Sequence, residues 1–209
     1  MIVKVCGMRE ADNIRAVEQL GTDWLGFIFW PRSSRYVSER PAYLPQKAKR
    51  VGVFVDGDMT DVQLHISDYG LHAVQLHGKE SPDYIQALHT AAPATLVIKA
   101  LNVSTTVDLE QTKAYEGLVD YFLFDTKGPS VGGNGTQYDW DILEAYQGTT
   151  PFLLSGGIGP DDAPRLKEWF RAGSGSSAAK CIGIDLNSRF ESEPGIKDIT
   201  KLKLFLEQL

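Results

Sequence analysis

The amino-acid sequence predicts an α/β protein that folds as a single (β/α)8 TIM barrel over residues 1–209. Short apolar runs alternate along the chain with longer amphipathic stretches, and eight such runs are present. This alternation indicates parallel strands joined by helices. A count of eight strands favours a closed barrel over the main alternative, a doubly wound open sheet, because no GxGxxG turn follows the first run. The chain is shorter than the typical barrel of about 250 residues, so most loops must be tight.

The eight apolar runs are rich in β-branched and aromatic residues, as strands buried on both faces tend to be. They cover residues 2–6, 24–29, 50–55, 73–76, 96–100, 121–125, 152–154 and 181–185. Between them, Ser81-Pro82 and Gly159-Pro160 are start signals of helices, with a capping residue or glycine before a proline. Further helices are predicted over residues 58–69, 105–116, 139–146 and 196–206. Two prolines predict that 38–48 is short or irregular, and 173–177 is rich in Gly and Ser, as flexible connectors are.

Composition narrows the class of protein. Hydrophobic residues make up 43% and charged residues 23% of the chain, an ordinary globular balance. The sequence contains no apolar run near the roughly 20 residues of a membrane span and no signal-peptide pattern at its start, so we expect a cytoplasmic protein without membrane contact. The net charge of −6 argues against nucleic-acid binding. An anionic substrate would therefore need a local cluster of cations and backbone amides.

Candidate site residues follow from the barrel itself, since active sites of barrels lie at the carboxyl ends of the strands. The polar or small residues at those ends are Cys6, His77, Asp125, Gly156, Gly157 and Asp185. Of the four histidines, only His77 follows a predicted strand, and none has metal-ligand spacing with acidic partners. We therefore predict no metal site.

Cys6 and Asp125 are the candidates for acid–base chemistry. A lone cysteine is usually a small buried hydrophobe, but Gly7 and a following helix place Cys6 near backbone amides that can lower the pKa of a thiol. Cys181 lies at the start of an apolar strand and fits the hydrophobic interpretation. Asp125 follows four apolar residues, where a carboxylate is costly unless paired or exposed. It is either a capping residue or a desolvated general acid with a raised pKa.

Two glycine-rich or polar loops are candidates for binding phosphate. Gly156 and Gly157 precede a helix after the seventh strand, where exposed backbone amides can hold an anion. Asn187 and Ser188 follow the eighth strand and would close the same cradle. Glycines after a strand can also mean only a tight turn, and the two loops together are more specific than either alone.

Eight motifs in order give the chain a family resemblance. They are VKVCGM at 3–8, SRYV at 34–37, VFV at 53–55, VQLHG at 74–78, FDT at 124–126, GGNG at 132–135, LSGGI at 154–158 and GID at 183–185. The chain resembles the phosphoribosylanthranilate isomerase family over essentially its whole length. Two positions depart from the family pattern, which more often has Gly at Arg189 and Thr at Asn134. A positive φ at Arg189 would be strained, which leaves the role of Arg189 open.

The resemblance implies an Amadori rearrangement of N-(5-phosphoribosyl)anthranilate, a step of tryptophan biosynthesis. Because this rearrangement is redox-neutral and involves no hydrolysis, the resemblance also implies that no cofactor is required. It implies Asp125 as the general acid, Cys6 as the general base and Arg35 as the ligand of the anthranilate carboxylate. His77 and Asp185 are further substrate-binding candidates, and Gly156, Gly157, Asn187 and Ser188 should surround the phosphate. We expect a monomer, with a homodimer as the alternative.

Three other functions compete with this interpretation. A histidine-pathway isomerase performs the same rearrangement, but it resembles two half-barrels with an aspartate where this chain has Cys6. A phosphosugar epimerase would need metal-binding residues at the strand ends, and these are missing from the sequence. A non-catalytic phosphosugar-binding protein would need neither Cys6 nor Asp125.

Lys4 should also take part in the site. Side chains alternate along a strand, so an inward Cys6 places Lys4 inside the barrel too. A buried ammonium needs a carboxylate partner, and Asp125 or Asp185 is the expected one. The alternative is that Lys4 reaches solvent at the bottom rim of the barrel.

Overall fold

Eight parallel strands close into a barrel in the computed structural model, which describes residues 1–126, 140–172 and 180–209. Each strand pairs with the next in chain order, and the first pairs with the eighth. The strands are β1 (Ile2–Val5), β2 (Trp24–Ile28), β3 (Lys49–Phe54), β4 (Ala73–Leu76), β5 (Leu96–Val103), β6 (Tyr121–Thr126), β7 (Phe152–Ser155) and β8 (Cys181–Leu186). The predicted barrel is confirmed, and only the end of β5 differs from its predicted bound by more than one residue.

The helices that surround the barrel are α1 (Ala11–Gln19), α2 (Met59–Tyr69), α3 (Pro82–Ala91), α4 (Ala163–Ala172) and α5 (Ile199–Leu206). Helix α3 begins at its predicted start signal, and α4 begins after the short 3-10 turn Pro160–Asp162 that follows Gly159. Ser81 caps α3 by accepting a hydrogen bond from the Tyr84 amide at 3.2 Å. Residues 38–48 contain neither helix nor strand, as predicted. Within the described part of the chain, no helix is long and apolar enough to cross a membrane.

Three predicted helices differ from the structure. The segments predicted at 105–116 and 139–146 form 3-10 helices, Thr106–Ala114 and Trp140–Ala145. The prediction of a helix from residue 196 was wrong at its start. Ile196–Lys197 is instead a short strand, β10, antiparallel to β9 (Glu191–Glu193). Asp198 then caps α5 by accepting from the Lys201 amide at 3.0 Å, so the helix cannot begin earlier.

The predicted connector at 173–177, the motif at 132–135 and Asn134 lie outside the described residues.

Two apolar layers hold the barrel together. Alternate strand residues fill its interior, namely Trp24, Val51, Ala73, Ile98, Ala100, Leu123 and Leu153. The residues between them pack outward against the helices in a larger cluster that includes Leu25, Val74 and Leu154. Burial of each such aliphatic side chain contributes about 1.5–3 kcal/mol, which explains why the strands are apolar on both faces.

A β-bulge in β8 determines which residues of that strand point inward. Phe152 pairs with Cys181, but Leu153 pairs with Gly183, so Ile182 is an extra residue in the ladder. Ile182 packs against the interior cluster, and Asp185, three residues later, also lies inside the barrel opposite Lys4. Regular alternation would have sent one of these two side chains outward. The bulge therefore places a carboxylate at the top of the barrel interior.

Candidate active site

A cavity of about 200 Å³ opens at the carboxyl ends of the strands. It is lined by eight of the nine predicted site residues, Cys6, His77, Asp125, Gly156, Gly157, Asp185, Asn187 and Ser188. The remaining lining residues are Ile28, Val53, Gln75, Ser155, Ile158 and Arg189. Arg35 lies beside this set without lining the cavity. Closure of the barrel thus brings together residues that are up to 183 positions apart in the sequence, from Cys6 to Arg189.

Cys6 follows β1 and is almost completely buried, with its amide donating to the Leu186 carbonyl at 2.9 Å. Gly26 on the neighbouring strand makes room for the thiol, because a Cβ added there would lie 2.9 Å from the Cys6 Sγ. Burial raises the pKa of the Cys6 thiol, although the Lys4 and Lys197 ammonium groups act in the opposite direction. The expectation of a lowered thiol pKa was therefore wrong, since desolvation outweighs the nearby positive charges and the backbone amide.

Lys4 forms a buried ion pair directly below Cys6. Its Nζ lies 2.8 Å from Asp185 Oδ1, and the two side chains are 0% and 7% exposed. Burial disfavours the charge on Lys4, but the Asp185 carboxylate and Cys6 together outweigh burial, so the pKa of Lys4 is raised. The Ser155 hydroxyl donates to the other carboxylate oxygen at 3.3 Å. The predicted pairing of Lys4 is confirmed, and its partner is Asp185.

Asp125 lies near the end of β6 with His77 beside it. The His77 Nε2 is 3.5 Å from Asp125 Oδ2, and the Asp125 side chain is 20% exposed. The Gln75 amide nitrogen lies 3.1 Å from His77 Nδ1. With that amide donating to Nδ1, a neutral His77 carries its proton on Nε2, which faces the Asp125 carboxylate. The carboxylate is therefore partly open to the cavity and has one potential donor at its side.

The loop that carries His77 is held by a second buried ion pair. Lys99 Nζ lies 3.0 Å from Glu80 Oε2, and each side chain is 1% exposed. Lys99 also donates to the Gly78 carbonyl at 2.7 Å, while Glu80 accepts from the Gly78 amide at 3.0 Å. Both backbone groups of Gly78, the residue after His77, are thus fixed by one buried charge pair.

Arg35 is held by a carboxylate of its own chain. Its Nε and Nη2 donate to Glu191 at 2.8 and 2.6 Å in a bidentate pair. Lys197 Nζ donates to the other side of this cluster, to Glu191 Oε1 at 2.6 Å and to Asn187 Oδ1 at 2.8 Å. Gly7 lies against the same groups, since an added Cβ would be 2.7 Å from Arg35 Cδ. Glu191 therefore orients the Lys197 ammonium group near the Cys6 thiol and the Arg35 guanidinium at the edge of the site.

The two candidate phosphate loops lie side by side. Gly156 and Gly157 have positive φ angles of 92° and 70°, a conformation that favours glycine. Ser188 and Arg189 belong to a 3-10 turn, Ser188–Phe190. The strain considered for Arg189 does not arise, because Asp56 is the one non-glycine residue with positive φ in the described part of the chain. The departure from glycine at this position is thus compatible with an ordinary backbone.

Sequence reasoning missed three residues of the site. Gln75 was detectable as a polar residue in an apolar strand, two positions before His77 and so on the same face. Its carbonyl oxygen is buried without a hydrogen-bond partner among the described residues. Glu191 and Lys197 belong to the short hairpin after β8, and no periodicity or spacing in the sequence points to them.

Comparisons with known proteins identify the family of this chain. The family model of N-(5'phosphoribosyl)anthranilate (PRA) isomerase matches residues 3–208. The N-(5'-phosphoribosyl)anthranilate isomerase of Phocaeicola vulgatus is 47% identical to this chain, with 100% of this chain and 98% of that protein covered. The crystal structure of phosphoribosyl anthranilate isomerase from Thermotoga maritima superposes with a TM-score of 0.82 at 32% identity, covering 100% of this chain and 98% of that one.

A second solved structure contains a ligand. It is a phosphoribosyl anthranilate isomerase in complex with reduced 1-(o-carboxyphenylamino)-1-deoxyribulose 5-phosphate, with a TM-score of 0.78, 28% identity, and 100% of this chain and 98% of that one covered. The match of the family model to nearly every residue, the relative at 47% identity and the shared barrel lead to one conclusion. This chain belongs to the N-(5'-phosphoribosyl)anthranilate isomerase family.

Proposed function

We propose that this protein catalyses the Amadori rearrangement of N-(5-phosphoribosyl)anthranilate to 1-(2-carboxyphenylamino)-1-deoxyribulose 5-phosphate in tryptophan biosynthesis. The observation that carries the proposal is a thiol and a carboxyl group, Cys6 and Asp125, that line one cavity in a chain of this family. A protein that only binds a phosphosugar would need neither group. The rearrangement is redox-neutral and adds no water, so the reaction itself requires no cofactor.

Asp125 acts as the general acid in the first step. Its carboxyl group donates a proton to the furanose ring oxygen, the bond from that oxygen to C1 breaks, and the lone pair of the anthranilate nitrogen forms a Schiff base at C1. His77 lies beside the carboxyl group and can donate to the carboxylate that remains. Such a donor stabilises the charged product of the proton transfer.

Cys6 acts as the general base in the second step. The thiolate removes the proton from C2, and the electrons of that C–H bond move into the Schiff base to give an enolamine. Tautomerisation of the enolamine gives the ketone, so one proton enters, one leaves and the overall change is an isomerisation. The thiolate must exist for this step, and the ammonium groups of Lys4 and Lys197 both favour it.

The two ends of the substrate are anions, and each has its own partner. Glu191 occupies the edge of the Arg35 guanidinium formed by Nε and Nη2. The opposite edge, formed by Nη1 and Nη2, retains N–H groups that suit the planar anthranilate carboxylate. At the other end, the backbone amides around Gly156, Gly157 and Ser188 suit the phosphate.

We further propose that residues 1–209 form one catalytic domain that works in the cytoplasm. A monomer is the expected state and a homodimer is the alternative. Light scattering coupled to size-exclusion chromatography would distinguish a mass near the 23.1 kDa of one chain from twice that value.

The decisive experiment replaces the two catalytic groups in turn. Cys6→Ser and Asp125→Asn should each lower kcat with freshly generated phosphoribosylanthranilate by about 10²–10⁴-fold, the usual contribution of a general acid or base. Cys181→Ser is the matched control, because Cys181 packs in the outer layer and does not line the cavity. It should keep the kcat of the native protein. Near-native turnover by Cys6→Ser or Asp125→Asn would refute the assignment.

A further inference from the structure

Arg189 stands out among the residues that line the cavity. It is the one lysine or arginine in the lining, within the part of the chain that the structure describes. Its side chain is exposed, and no hydrogen bond or ion pair holds it to any described residue. The other cations near the site already have carboxylate partners, Lys4 with Asp185, and Arg35 and Lys197 with the one carboxylate that they share, Glu191. Among the described residues, Arg189 is therefore the cation of the cavity lining that has no carboxylate partner, and its guanidinium is open to an incoming anion.

The position of this guanidinium places it over the loop after β7. A Cβ added to Gly159 would lie 3.1 Å from Arg189 Nε and 3.5 Å from Nη2. The backbone of Gly159 is extended, with φ −123° and ψ 177°, a conformation that any residue can adopt. Glycine at this position thus serves no conformational need, and the space beside it is occupied by the Arg189 side chain. The guanidinium lies within the candidate phosphate cradle.

The same cradle carries negative charge that a phosphate dianion must overcome. Asp161 and Asp162 follow Gly159 in the short turn Pro160–Asp162. The Gly159 amide already donates to Asp162 Oδ2 at 2.7 Å and is not available to a ligand. Backbone amides alone would therefore bind a dianion in a loop whose Gly159 amide already holds the Asp162 carboxylate. A neighbouring guanidinium offsets this repulsion and adds charge-assisted hydrogen bonds.

From these contacts we infer that Arg189 is a substrate-binding residue that anchors the phosphate group, at the position where this chain departs from glycine. The inference rests on the proposed function for the identity of the substrate, but the anion site itself can be tested separately. A charge-assisted hydrogen bond corresponds to about tenfold to about a hundredfold in affinity. Most of that loss should appear in KM, because the phosphate takes no part in the bonds that change.

The experiment compares four variants with the native protein in two measurements, binding of inorganic phosphate by calorimetry and turnover of phosphoribosylanthranilate. Arg189→Gln should weaken phosphate binding and raise KM by about tenfold to about a hundredfold, with a much smaller change in kcat. Arg189→Lys should have a phosphate affinity and a KM between those of the native protein and of Arg189→Gln. Gly159→Ala should weaken phosphate binding by displacing the guanidinium. Arg15→Gln changes the net charge equally but lies on α1 paired with Asp12, and it should bind phosphate as the native protein does.

Each outcome decides one of the two ideas. An active Arg189→Gln variant with unchanged KM and unchanged phosphate affinity would overturn the role of Arg189 and leave the proposed function intact. A native protein that binds phosphate through Arg189 but does not convert phosphoribosylanthranilate would support Arg189 and refute the proposed function. Equal weakening by Arg189→Gln and Arg15→Gln would reduce the effect to net charge and overturn the inference.

Discussion

The ion pair below the catalytic thiol gives the sharpest test of the site. Lys4→Met removes the ammonium group while keeping a side chain of similar length in the barrel interior. The Asp185 carboxylate then loses a partner at 2.8 Å and retains, among the described side chains, the Ser155 hydroxyl at 3.3 Å. Cys6 loses one of the two ammonium groups that favour its thiolate. The substitution should therefore affect both stability and the acid–base chemistry.

The loss of stability follows from burial. Lys4 is fully buried and Asp185 is 7% exposed, so solvent screens the pair weakly. Removing one partner of a buried ion pair typically costs about 3–5 kcal/mol, because the remaining charge is left uncompensated. Changing both partners removes that penalty. We therefore expect the double variant Lys4→Met with Asp185→Asn to unfold at a higher urea concentration than Lys4→Met alone.

The loss of activity should have a signature in pH. Burial already raises the pKa of the Cys6 thiol, and without the Lys4 ammonium it rises further. A base that must be deprotonated works only above its pKa. The limb of the pH profile on which kcat rises with pH should therefore move to higher pH. At a fixed pH below that limb, the rate falls about tenfold for each unit of the shift. Steady-state kinetics across the pH range, with unfolding monitored in parallel, measures both effects.

Lys99→Met is the matched control for the test of Lys4. Lys99 is equally buried and is also paired with a carboxylate, Glu80, but its partners lie in the loop after β4. Lys99→Met should lose a similar amount of stability without moving the limb on which kcat rises with pH. If the ascending limb of kcat lies at the same pH in Lys4→Met as in the native protein, or if Lys4→Met loses less than about 1 kcal/mol of stability, the reasoning from the buried pair is refuted.

Two further predictions test the surroundings of the site, and a third tests a carboxylate on α1. Gly26→Ala should lower kcat by displacing the Cys6 thiol, whereas Gly52→Ala, whose Cβ would meet Leu71, should cost stability without a specific loss of kcat; equal losses of kcat would contradict this. Gly156→Asp should raise KM through repulsion of the phosphate, and an unchanged KM would place the anion elsewhere. Glu18, on α1, accepts hydrogen bonds from the Lys47 and Ala48 amides at 2.6 and 2.9 Å. Burial opposes the charge of Glu18, but its hydrogen bonds outweigh burial and lower its pKa, so its stabilisation is present above about pH 4.5 and is lost as the pH falls through the lowered pKa. In urea unfolding, Glu18→Gln should therefore show a smaller loss of stability between neutral and acid pH than the native protein, and an equal loss would refute the role of this carboxylate.

The sequence by itself determined the strands, the barrel and most of the cavity. Apolar runs of strand length depend on neighbours in the chain, and such local patterns can be read directly. Once eight parallel strands close, their carboxyl ends must meet, which brings Cys6, His77 and Asp125 together without further information. Alternation along β1 likewise placed Lys4 on the inner face with Cys6. These conclusions needed no knowledge of which distant residues touch.

Only the tertiary structure decided the details that depend on contacts between distant segments. The bulge in β8 turns Asp185 toward Lys4, the hairpin after β8 brings Glu191 to Arg35, and burial raises the pKa of the Cys6 thiol. None of these features leaves a local pattern, because pairing register, burial and electrostatic partners are properties of the packed barrel. The chain order specifies which groups reach the site, and the packing of the barrel decides what each group meets there.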